Sequence, residues 1–62
     1  MQVGQKYCDT TGDVITIIRF FTYLDSTRGV MYRYQFSSPL LGSITDAMSL
    51  ERFKDQIVKR AI

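Results

Sequence analysis

Ten consecutive residues, Val14 to Tyr23 (VITIIRFFTY), are apolar on both of their alternating faces, and this segment limits what the chain can fold into more than any other. Branched and aromatic side chains fill nearly every position, which predicts a β-strand. One alternating set is Val14, Thr16, Ile18, Phe20 and Thr22; the other is Ile15, Ile17, Arg19, Phe21 and Tyr23. A flat sheet with one wet face needs one of these sets to be polar. Two architectures satisfy such a strand. In a strongly bent sheet or small barrel, its first half serves one layer and its second half another. Alternatively, a second copy of the chain covers the surplus apolar face, because monomers rarely expose a patch of that size.

The flanking segments fit a small antiparallel sheet. Gln5 to Asp9 reads as a short strand and Thr10-Thr11-Gly12-Asp13 as a turn. Leu24 to Gly29 reads as a polar hairpin loop. Val30 to Ser37 alternates cleanly, with Val30, Tyr32, Tyr34 and Phe36 on the core side and Met31, Arg33, Gln35 and Ser37 on the other. Pro39 and Gly42 break this strand. Ser43 to Ala47 is compatible with one more strand or with a plain connection. Ser49 is a good N-cap for a terminal helix of about three turns, whose apolar stripe is Leu50, Phe53, Ile57, Val58 and Ala61. Asp55 and Lys59 form an i,i+4 pair. The expected fold is α+β: a strongly curved antiparallel sheet or barrel-like fold of three to five strands with one C-terminal helix, in a single domain spanning residues 1–62.

A chain of 62 residues buries only roughly 60% of the surface it exposes when unfolded, so its stability should be marginal. One cysteine and no histidine leave no intramolecular disulfide and no ordinary zinc set. Cys8 has no histidine to activate it and is expected as a half-buried strand residue. The N-terminus lacks the charged-then-apolar pattern of a signal peptide, and no run of about 18 apolar residues is present to span a bilayer. The expectation is a complete small gene product of the cytoplasm, without cofactor, metal or membrane. A net charge of +2 is only a weak lean toward polyanions.

Gly4, Gln5, Tyr7, Asp9 and Gly12 form a G-Q-x-Y-x-D-x-x-G turn. Behind it come Val14, Ile15 and Ile17 on a strand, Tyr32-Arg33 on another, and Ser49 with Phe53 at a helix start. In this pattern the chain resembles small proteins encoded by tailed phages and prophages. The resemblance implies a bacterial host as the setting and carries no established biochemical role. Gly12, Asp13, Val14 and Ile17 bear a weaker likeness to the KOW motif of ribosomal and elongation-factor barrels, whose second glycine is missing after Arg19.

Three classes of function follow from the residues. The loop SSPLLG presents Leu40 and Leu41 as an apolar knob, unless both fold back under the helix, and the helix offers Arg52 and Gln56 away from its stripe. Together with unpaired sheet edges, these suit a non-catalytic accessory protein that binds a host or phage protein as regulator or inhibitor, or that pairs with its own twin. The alternative is binding of single-stranded nucleic acid without sequence preference, by Arg19, Arg28, Arg33 and Tyr34. It requires Arg19 beside Arg33 and an exposed tyrosine, whereas alternation places Tyr32 and Tyr34 in the core with their hydroxyls at the rim. Catalysis by Asp9 and Asp13 would need a cleft that drives their pKa values apart, for which so small a domain has little room; no enzyme activity is expected.

Overall fold

A computed structural model describes residues 1–61. Four strands, β1 (Lys6–Cys8), β2 (Val14–Thr22), β3 (Arg28–Gln35) and β4 (Ser43–Ser49), form one antiparallel sheet in the order β1-β2-β3-β4. Each strand follows its neighbour through a hairpin, so the sheet is a meander with β1 and β4 at opposite edges. It is open, and the barrel-like alternative is corrected on that point. Ser43 to Ala47, undecided from sequence, lies in the fourth strand.

The two-sided apolar strand has a different explanation from either expected one. Ile17 pairs with Tyr32, yet Arg19 pairs with Met31, so Ile18 is an extra residue without a cross-strand partner. This is a β-bulge, and it reverses the side-chain parity of everything after it. Before it, Ile15 and Ile17 point toward the core, where they are 2% and 1% exposed. After it, Phe20 joins them opposite buried Val30, while Arg19 and Phe21 turn to the far side. Without the bulge, Arg19 would follow Ile15 and Ile17 into the core. Neither closure into a second layer nor a twin chain is needed to account for the pattern.

The helical segment covers one face of the sheet. Ser49 caps it as expected, its Oγ accepting from the Arg52 N–H at 3.2 Å. It is shorter than three turns: an α turn, α1 (Leu50–Phe53), passes into a π-helical turn, η1 (Lys54–Val58), closed by the Lys59 N–H donating to the Lys54 carbonyl at 2.9 Å. The wider turn lets both Ile57 and Val58, four and five residues beyond Phe53, pack on the sheet. Phe53 is the keystone. Fully buried, its ring lies 6.0 Å from Tyr7 and 5.5 Å from Tyr32.

The β2–β3 loop is only Tyr23 to Thr27, closed by the Tyr23 N–H to the Thr27 carbonyl at 2.7 Å, and β3 resumes at Arg28. Gly29, expected in the loop, is therefore a strand residue. A Cβ there would stand 2.6 Å from the Phe21 ring and 2.7 Å from the Tyr23 ring; the two aromatics lie over the space its missing side chain leaves. Cys8, expected half-buried, is exposed because it shares the parity of Lys6 and faces away from the helix, while Tyr7 between them turns to the core.

Candidate functional site

Three surfaces bring chemistry-bearing residues together. The first is the β3–β4 hairpin and the strand that follows. The Leu41 N–H donates to the Ser38 carbonyl and the Phe36 N–H to the Gly42 carbonyl, both at 3.1 Å, and Gly42 takes a φ of +70° that few other residues accept. The turn so closed projects past the end of the sheet. The helix packs instead toward Tyr7, Ile15 and Tyr34, where Gln56 and Ile57 line a small cleft. Leu40 and Leu41 do not fold under it: they are 95% and 65% exposed, and Ile44 behind them is 50% exposed.

β4 continues from this knob as an unpaired edge. The Ala47 N–H is held by the Asp46 carboxylate at 2.8 Å, so it points away from β3. Alternation along the strand then turns the backbone groups of Thr45 and Ser43 outward as well. Asp46 guards one outward donor and leaves the others open, a partial version of the edge protection common in natural sheets. Arg52 sits at the start of the helix on this side of the fold. Burial raises the pKa of the Tyr32 hydroxyl, the Asp46 charge adds to the rise, and the Arg52 charge opposes it. Arg52 is thus near the β4 edge, whereas Gln56 lies in the cleft on the β1–β2 side. The four residues expected for protein binding do not form one patch. Ile44, three residues beyond Leu41, is a further exposed apolar side chain of this segment, which sequence reading passed over because its strand was undecided.

The second surface is the helix-free face of the sheet. Lys6 pairs with Thr16, Thr16 with Arg33 and Arg33 with Thr45, giving a row of alternating cations and hydroxyls across all four strands. Arg19, turned to this face by the bulge and paired with Met31, is the diagonal neighbour of Arg33. Arg19 and Arg33 are therefore together, as the nucleic-acid expectation required. Arg28 and Tyr34 are not with them. Arg28 pairs with Thr22 and has the parity of Val30, and Tyr34 pairs with Ile15; both belong to the helix side. The aromatics on the open face are Phe21 and Tyr23, 4.9 Å apart between ring centroids and edge-to-face. Their signal was present in the sequence as the two residues of Arg19's own alternating set that follow it.

The third is the β1–β2 turn. Asp9 Oδ1 accepts from the Thr11 N–H at 3.0 Å, the Thr11 hydroxyl at 2.7 Å and the Asp13 N–H at 3.1 Å. Asp13 Oδ1 accepts from the Ser37 N–H at 2.8 Å. The Tyr34 hydroxyl reaches both carboxylates, Asp13 Oδ2 at 2.7 Å and Asp9 Oδ2 at 2.9 Å, so one phenolic proton is shared between them. These bonds favour the charged carboxylates. The Thr11 hydroxyl leads in lowering the Asp9 pKa, and Tyr34 leads in lowering that of Asp13. The Tyr34 phenol is pushed well above its usual range, chiefly by its bond to Asp13. Both carboxyls move in the same direction, as their shared hydrogen bonds to Tyr34 and Thr11 require. The adjacent cleft has a volume of about 120 Å³, below the roughly 300–1,000 Å³ of ligand pockets.

No protein-family model, curated protein or solved structure matches this chain. No helix among the described residues is long and apolar enough to cross a membrane.

Proposed function

We propose that this protein is a non-catalytic binding module whose β3–β4 hairpin and β4 edge dock onto another protein. The observation that carries this reading is the exposure of Leu40, Leu41 and Ile44 on one continuous segment leading into an unpaired strand. An extended partner segment added along β4 gains main-chain hydrogen bonds from Ser43 and Thr45, and the leucines supply an apolar anchor at its end. The resemblance to small phage and prophage proteins gives the setting: a host or phage protein in the bacterial cytoplasm as partner, with regulation or inhibition as the consequence.

The test is affinity capture from a bacterial lysate, with and without nuclease, using the intact protein and Leu40→Asp. Because the Leu40 side chain is almost fully in solvent, the variant should keep its circular dichroism and melting temperature while losing the captured partner. Capture that survives Leu40→Asp, or that nuclease abolishes, would overturn the assignment.

A further inference from the structure

The sheet's open face segregates charge in a way that the net charge of the chain conceals. Lys6, Arg19 and Arg33 lie on it, three of the eight cationic residues, and none of the six acidic ones does. Asp9, Asp13 and Asp25 are in hairpin turns, Asp46 pairs with Tyr32 on the helix side, and Glu51 and Asp55 are on the helical segment. Elsewhere the two signs are mixed: on and just after the helical segment Arg52, Lys54, Lys59 and Arg60 alternate with Glu51 and Asp55, whereas the open face carries cations alone. Among the described residues, the ion pair within 4.0 Å joins Lys59 to Asp55 at 3.9 Å. Among the described residues, the three cations of the open face have no carboxylate within 4.0 Å.

Beside these cations lies an aromatic platform. Phe21 and Tyr23 rest over Gly29, which has no Cβ to lift them, and Tyr23 remains 39% exposed. Arg19 is two residues from Phe21 along the same strand. Diagonal neighbours in an antiparallel pair stand roughly 7–8 Å apart, so Arg19 and Arg33 can engage separate phosphates. The hydroxyls of Thr16 and Thr45 lie in the same row.

We propose that this helix-free face binds single-stranded nucleic acid, with Lys6, Arg19 and Arg33 meeting phosphates and the Phe21–Tyr23 pair stacking an unpaired base. A free aromatic face beside cations selects a single strand, because in a duplex the bases are already stacked on each other. Recognition is by backbone charge and base plane, so it is insensitive to sequence. The bulge at Ile18 is the device that builds the site, since it turns both Arg19 and Phe21 onto this face. The site is independent of the β3–β4 hairpin, and Leu40→Asp leaves it intact.

The test is fluorescence anisotropy with a labelled oligothymidylate of about 15 nucleotides, a length within the range one small domain occupies. Three phosphate contacts give a slope of about −2 in a plot of log affinity against log salt, a loss of about 20-fold between roughly 50 and 200 mM. The pair Arg19→Gln with Arg33→Gln should lower the slope to about −0.7. Tyr23→Ala should weaken binding about fivefold or more at every salt concentration without changing the slope. The pair Lys54→Gln with Lys59→Gln removes as much charge from the helical segment, away from Tyr23, and should leave binding nearly unchanged; circular dichroism checks that each variant is folded. No binding at low salt would overturn the proposal. So would equal losses from the two charge pairs, or a duplex bound as tightly as the single strand and indifferent to Tyr23→Ala.

Discussion

Tyr34 shows how much of this fold is held by single groups. Its ring packs against the core beside Phe36, at a centroid distance of 5.0 Å, while its hydroxyl ties two carboxylates of the β1–β2 turn to β3. Tyr34→Phe should therefore keep the ring packing and destabilise the domain by about 1 kcal/mol, at the low end for a bond to a charged group because solvent reaches it. Chemical denaturation at neutral pH measures this. The pH profile follows from the shifts. Asp9 and Asp13 titrate in the folded protein below their ordinary 3.8, so their contribution is complete above that value and is lost as pH falls through the lower folded pKa values. Tyr34 titrates above its ordinary 10.0, so its contribution is complete below pH 10 and is lost as pH rises through the raised value. The melting temperature should be level through neutrality and fall at both extremes, with Tyr34→Phe flattening both limbs. An acid limb unchanged by the substitution would show that the latch does not stabilise the fold.

The four strands and the helical turn differ in how openly the sequence announces them. The core side of β3 is written in plain alternation, Val30, Tyr32, Tyr34 and Phe36, and the helix start in Ser49 followed by Leu50 and Phe53. β4 was harder to read because an edge strand, only half covered, alternates weakly: Ser43 to Asp46 are all exposed. The π-helical turn left no mark, since Ile57 and Val58 fit an α stripe equally well. Gly29 was misread as loop punctuation because what occupies its space is the Phe21 and Tyr23 rings from the adjoining strand. β4 also carries its own control. Its outward Ala47 N–H is occupied by Asp46, and Asp46→Ala would free that donor and remove a charge from the edge. The substitution should promote self-association through β4, seen as a concentration-dependent rise in sedimentation coefficient. A variant that sediments as the unsubstituted protein does would show that Asp46 is not what guards the edge.

At the scale of the whole molecule, one inserted residue decides which side chains make the core and which make a surface. An apolar strand with two apolar faces looks in sequence like a demand for two cores, because periodicity cannot show where a strand skips a beat. The lone arginine inside the set Ile15, Ile17, Arg19, Phe21 was the available clue: a core face has no place for it, so the register must change before it. With Ile18 set aside, Phe20 packs on the core cluster, and Arg19 and Phe21 join Lys6, Arg33 and Tyr23 on the open face. The fold is thereby two-sided, packed under the helical turn and cationic on the other side, with the β3–β4 hairpin projecting at one end. Cross-strand nuclear Overhauser effects between β2 and β3 test this most directly. The bulge gives Ile17 opposite Tyr32, followed by Arg19 opposite Met31 and Phe20 opposite Val30. Backbone contacts of Arg19 with Val30 and of Phe20 with Gly29 would mean an unbroken register and would contradict the account.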